Sequence, residues 1–288
     1  MLPHIRLLHL ICKPYQNLEW DEFSVTTKNE LLCIFHSPDL MELYVAGMKL
    51  LPASLALYPP SKLKLSNVSF GNISEVTPLE SNIPSYHPNL HNRLQYLDAW
   101  SSQSINRVMT GLFNPLLFHP LFCLRELDIG QLRSDEDIEA CRKALIYAKD
   151  LELLILRIHP SHSLKHLDFL SPAFALRRVQ LYLGGTWSSS MRWVDCSLKT
   201  LPPNNIMKEI FVEINDDVDF HDDTWISLDK SLSGGVLRCL ERFSIYLFAY
   251  EADLPERPGL SAFFSNKVPG LSSKGFFSMF INNNPVYP

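Results

Sequence analysis

The sequence contains no Cys-x-x-Cys pair. Its six cysteines, Cys12, Cys33, Cys123, Cys141, Cys196 and Cys239, stand singly and far apart, which excludes zinc ribbons and thioredoxin-like redox motifs. Most lie within apolar stretches, where a free cysteine behaves as a small buried hydrophobe. Reduced structural thiols and a cytoplasmic or nuclear location are therefore expected. No uninterrupted apolar run approaches the length of a membrane span. The apolar start, Met1 to Leu10, is short and is interrupted by Pro3, His4, Arg6 and His9. It lacks the long apolar core and small-residue cleavage site of a signal peptide, and without secretion the Asn-x-Ser sites at Asn67 and Asn72 are inert. Neither sign of charge dominates: 26 Lys and Arg oppose 31 Asp and Glu, with a net charge of −5 and no long basic stripe. Nucleic acid and anionic membranes are poor partners for such a surface.

Catalytic signatures are missing as well. The chain has no Gly-rich phosphate loop ending in Lys-Ser/Thr, no Gly-x-Ser-x-Gly elbow and no His-Glu-x-x-His. Gly184-Gly185 and Gly234-Gly235 read as turns after a strand and a helix. Two clusters carry metal-ligating residue types. His159, His162, His166 and Asp168 place two histidines at helical i, i+4 spacing, but Pro160 and the serine-rich surroundings make a solvated loop the better reading. Asp216, Asp217, Asp219, Asp222 and Asp223 offer hard oxygen ligands, yet the glycine and distal glutamate of an EF-hand are missing. An acidic loop leading into the positive end of a helix at Thr224 explains them. No catalytic residue, metal or cofactor is expected; a metal-dependent hydrolase is the least favoured alternative.

What the chain does contain is a recurring phrase. At 288 residues and 46% hydrophobic it can bury a substantial core, and much of that apolar content falls into leucine-x-x-leucine-x-leucine hexads. These begin near Ile5, Leu40, Pro60, Leu94, Leu124, Leu151, Leu176, Met207 and Leu240, from 20 to 35 residues apart. At this apolar content three fixed positions coincide by chance about one time in ten, so the segments between the hexads carry the weight. Helical patterns occupy several of them. Ser134 to Lys149 has a capping pair in Ser134 and Asp137, and Ile138, Cys141, Ala144, Leu145 and Ala148 share one face. Further helices are predicted over Lys28 to Phe35, Ser104 to Phe113, Met191 to Leu201 and Thr224 to Leu232, each stopped by proline or glycine.

Strand, turn, helix, turn, strand implies parallel strands with right-handed crossovers. The fold class expected is α/β: an irregular leucine-rich-repeat-like solenoid, with parallel strands on the concave face and helices on the convex face. Residues 1–288 are read as one domain, with an irregular insertion at 71–92 and a weak tail after Glu251 that frays over 282–288.

The stretches Glu30 to Val45, Leu51 to Leu57, Leu124 to Ile129, Thr224 to Leu232 and Pro269 to Gly275 carry a family resemblance. The chain resembles the leucine-rich-repeat region of the F-box proteins of mushroom-forming fungi. That resemblance implies substrate recognition for a ubiquitin ligase, with an F-box that docks on the Skp1 adaptor. Here the chain opens on a repeat-like strand at Ile5, so a Skp1 partner is expected only if an F-box is supplied elsewhere. The alternative is a non-catalytic scaffold or an F-box-less relative with no ubiquitin role.

Within each hexad the second and third apolar residues point inward, and their neighbours point outward. The outward row contains Lys62 and Lys64; Tyr96, Asp98 and Trp100; Glu126 and Asp128; Arg178, Gln180 and Tyr182. Glu209, Phe211 and Glu213, then Arg242, Ser244 and Tyr246, continue it. Tyr, Trp and Arg are interface anchors, and the mixed charge suits a protein partner on the concave face.

Overall fold

The computed structural model describes residues 4–12, 18–52, 55, 59–71, 94–99, 123–132, 134–158, 169–184, 186–215, 222–247, 262–263, 266–282 and 284–287. Trp100, the 104–113 helix, nearly all of the 71–92 insertion, the histidine cluster and Asp216, Asp217 and Asp219 lie outside the described residues. The chain divides into two compact units, Met1–Gly130 with Ile146–Leu151, and Gln131–Leu145 with Glu152–Pro288.

In the first unit, strands β1 (Leu7–Ile11), β3 (Glu42–Ala46), β5 (Lys62–Ser66), β6 (Tyr96–Ala99) and β7 (Glu126–Leu132) lie side by side, all parallel. Two short strands, β2 (Leu18–Glu19) and β4 (Met48–Lys49), pair separately. Helix α1 (Val25–Phe35) joins β2 to β3. The hexads explain the register. From β3 onward the first apolar residue of each is buried in the turn that enters the strand, as at Leu40, Leu94 and Leu124, whereas Ile5 before the edge strand β1 is half-buried. The next two fall on the inner face and stack across strands: Leu43, Leu63, Leu97 and Leu127 in one row, Val45, Leu65, Ala99 and Ile129 in the next. All eight are buried. Each such side chain contributes about 1.5–3 kcal/mol on leaving water when it is of valine size or larger.

The second unit repeats the scheme. Strands β8 (Leu153–Ile158), β9 (Arg178–Leu183), β10 (Glu209–Ile214), β11 (Arg242–Leu247) and β12 (Phe277–Ile281) are parallel. Helices α3 (Trp187–Lys199), α4 (Thr224–Ser233) and α5 (Pro269–Lys274) lie in the connections between β9 and β12. The inner rows are Leu154, Val179, Ile210, Phe243 and Phe277, then Leu156, Leu181, Val212, Ile245 and Met279, all buried. Aromatic rings fill the helix side, with Trp187 4.8 Å from Trp225 and Trp225 4.9 Å from Phe263. Helix α2 (Asp135–Tyr147) precedes β8; Ser134 Oγ accepts from the Asp137 amide at 3.2 Å, and the predicted apolar face is buried. The protein is thus α/β, and among the described residues every strand pairing within the two units, the separate β2–β4 pair included, is parallel except that of one further strand.

That strand is β13 (Asn284–Tyr287), paired antiparallel to β12. It lies where the sequence suggests fraying, and β12 and α5 lie within the tail read as weak. Helix α5 closes on Gly275, whose φ of 68° is costly for any residue with a Cβ. Two helices also begin earlier than predicted. α1 starts at Val25 because Ser24 Oγ accepts from the Thr27 amide at 3.1 Å, a cap that the Lys28 start overlooked. α3 starts at Trp187, with Thr186 as the N-cap residue.

The thiols are less uniform than expected. Only Cys141 is fully buried; Cys33 and Cys239 are exposed, and Cys12, Cys123 and Cys196 are half-buried. Burial, then the nearby Asp137 charge, pushes the Cys141 thiol far above its ordinary value, so it stays protonated and inert.

Candidate functional site

The alternation that buries the hexad leucines leaves the other side chains of each strand on the opposite face, where parallel pairing brings them into rows. In the first unit Glu42, Lys62, Tyr96 and Glu126 form one row and Tyr44, Lys64, Asp98 and Asp128 the next. Lys64 Nζ lies 3.3 Å from Glu42 Oε1 and 5.8 Å from the Tyr96 ring centre. Tyr44 meets the His9 ring edge-on at 5.6 Å. Partial burial, followed by the charges of Asp98, Asp128 and Glu126, pushes the Tyr96 hydroxyl up to about 12. The phenol therefore remains a neutral donor among carboxylates at any physiological pH.

The second unit presents a different surface. Arg178, Glu209 and Arg242 form its first outward row, and Gln180, Phe211, Ser244 and Ser278 the second. Arg157, Tyr182, Glu213, Tyr246 and Phe280 form the third. Rings from the second and third rows lean together. Arg157 stacks on Tyr182 at 4.8 Å, Tyr182 lies 5.7 Å from Phe211, Phe211 4.7 Å from Tyr246, and Tyr246 4.3 Å from Phe280. One cation and four half-buried rings thus run unbroken across five strands. Each ring pair adds about 0.5–1.5 kcal/mol beyond area burial, which holds the band in place without hiding it.

Tyr96, Asp98, Glu126 and Asp128 are therefore brought together in the first unit, and Arg178, Gln180, Tyr182, Glu209, Phe211, Arg242 and Tyr246 in the second. Ser244 differs from the expectation: it belongs to the outward row by register, but it is only 7% exposed and hydrogen-bonds Ser278 at 2.8 Å. Its short side chain sits below the level of the flanking rings. Tyr44, Arg157 and Phe280 extend the rows beyond the predicted set. Arg157 was readable from the Leu151 hexad, whose other outward residues, Leu153 and Ile155, are apolar and hid the pattern.

Among the described residues no group of three or more His, Cys, Asp or Glu could hold a metal. Asp222 Oδ1 accepts from the Thr224 amide at 2.8 Å and the carboxylate also bonds Ser188, while Asp223 pairs with Lys267 at 2.8 Å. Burial opposes ionisation of Asp222, but the Ser188 and Thr224 hydrogen bonds and Lys267 outweigh it and hold the carboxyl below its ordinary value. Both residues serve the entrance to α4. Among the described residues no helix is long and apolar enough to cross a membrane. No protein-family model matches the sequence, and no curated protein matches it.

Proposed function

We propose that this chain is a non-catalytic protein-recognition module, an irregular leucine-rich-repeat-like solenoid that binds a protein partner across its strand face. In the F-box manner it would present a substrate to a ubiquitin ligase from the cytoplasm or nucleus; without an F-box it acts as a scaffold. The observation that supports recognition is the band from Arg157 to Phe280. Its rings have a large apolar area, a polar tip at each tyrosine, and little conformational entropy left to lose.

The test is affinity purification of the tagged chain from its own cells, beside Tyr182→Ala/Tyr246→Ala. Loss of three ring pairs costs the double variant about 1.5–4.5 kcal/mol, so circular dichroism is used to confirm that it is folded. Partners present with the wild type and lost with the folded variant are the expected result. Recovery of Skp1 and a cullin among them would establish the ligase role, and their absence the scaffold. Identical partners for both proteins would defeat the reading.

A further inference from the structure

We infer that the strand face of the second unit recognises an acidic segment in the polyproline II conformation, running across the strands. The inference rests on the recognition reading and specifies its partner. Arg178 on β9 and Arg242 on β11 are exposed and share one row, with Glu209 of β10 between them. Among the described residues neither arginine has an ion-pair partner. Adjacent strands lie about 4.7–4.9 Å apart, which separates the two arginines' strands by about 9.4–9.8 Å. A polyproline II helix completes a turn of three residues in about 9.3 Å. An acidic residue at every third position therefore meets one arginine after another, and Glu209 repels any ligand shifted by half a turn.

The three-fold symmetry of the ligand suits the rest of the face. With one edge on the arginine row, a second edge lies toward the band of Tyr182, Phe211 and Tyr246, where proline rings meet apolar ring edges. The third edge faces solvent. Between the two rows lie Gln180 and the hydrogen-bonded pair Ser244 and Ser278. A polyproline II backbone makes no internal hydrogen bonds, so its carbonyls need donors. The Gln180 amide and the tyrosine hydroxyls are donors of the right kind. A β-strand ligand fits less well, because its side chains alternate faces with a two-residue repeat of about 6.6–6.8 Å and miss the second arginine.

Fluorescence polarisation with short labelled peptides tests this on the full chain. The probes are repeating Glu-Pro-Pro, Lys-Pro-Pro for charge and Glu-Gly-Gly for conformation. Glu-Pro-Pro should bind saturably, weaken with salt, and outcompete both controls. Arg178→Ala/Arg242→Ala should lower its affinity about tenfold, and Arg178→Glu/Arg242→Glu should transfer the preference to Lys-Pro-Pro, which a merely structural role would not do. Absence of saturable Glu-Pro-Pro binding, equal binding of Glu-Gly-Gly, or full affinity in the alanine variant overturns the inference. If any of these occurs while Tyr182→Ala/Tyr246→Ala still loses cellular partners, the ligand class is wrong and the recognition reading stands. If that variant loses none, the recognition reading itself has failed.

Discussion

Replacing Asp229 should loosen the end of the second unit without touching its strand face. Asp229 sits on α4 and is only 7% exposed. Its carboxylate crosses to the start of α5, accepting from the Leu271 amide at 2.7 Å and the Gly270 amide at 3.1 Å. The first amides of a helix have no partner within it, so a carboxylate from a neighbouring helix satisfies two of them and meets the positive end of the dipole. Gly270 permits the approach: a Cβ there would lie 2.8 Å from Ser233 Cβ and 3.0 Å from Asp229 Oδ2. Lys274 adds a bond from Nζ to the Ser233 carbonyl at 2.7 Å. In Asp229→Ala the buried Leu271 amide loses its acceptor outright, and the half-buried Gly270 amide recovers part of its loss from water. At about 1–3 kcal/mol for each unsatisfied donor, the expected cost is about 2–4 kcal/mol. Asp229→Asn retains one acceptor and should cost about half as much. Because two units need not unfold together, the assay is native-state hydrogen exchange at Leu271 and along β12, read beside urea unfolding. Loss of less than about 0.5 kcal/mol in Asp229→Ala, with unchanged exchange in α5, would refute this account of the cap.

Three further outcomes follow from the same geometry. Ser197 is buried on α3 and its hydroxyl has no hydrogen-bond partner among the described residues. Ser197→Ala should therefore raise stability by about 0.5–1 kcal/mol in thermal unfolding, and destabilisation would mean that the hydroxyl is satisfied. The Tyr96 hydroxyl is raised to about 12 from the ordinary 10.0. Its contribution to stability is thus complete below pH 10 and lost as pH rises toward 12. Phenolate absorbance should show a late-titrating tyrosine that is absent in Tyr96→Phe and moves to lower pH in Asp98→Asn. Asp222 has the opposite sign: its carboxyl is held below the ordinary 3.8, so it stabilises above that value and the contribution disappears as pH falls through the depressed folded value. Asp222→Asn should flatten the acid limb of the unfolding curve, and an unchanged limb would count against the hydrogen bonds assigned to it.

The strands were readable because one physical rule governs them. Each of the nine hexads begins two residues before a strand, from Ile5 and β1 to Leu240 and β11, since a parallel strand covered on one face needs apolar residues at every second position. β12 escaped the pattern because Lys274 stands where the first leucine belongs, although Phe277, Met279 and Ile281 keep the alternation. Helix starts were less legible: the capping bonds of Ser24 and the Thr186 turn are decided by local backbone geometry, and the Trp187 to Ser190 stretch lacks a helical apolar stripe until tertiary packing buries Trp187. Rows of outward residues followed from strand parity alone. Which of them touch did not, because the Tyr182, Phe211 and Tyr246 contacts depend on rings leaning between rows.

The reversed direction of β13 constrains how such a protein lengthens over generations. A strand-and-helix segment that is copied can add a parallel strand beside its neighbour. At β12 the neighbouring place is taken by an antiparallel strand that bears Pro285, which has no amide hydrogen to donate. A copy placed beside β13 would meet a strand of reversed polarity. Duplications that keep parallel pairing should therefore fall before β12, and relatives of different length should share the β12–β13 hairpin while differing in the number of strands before it.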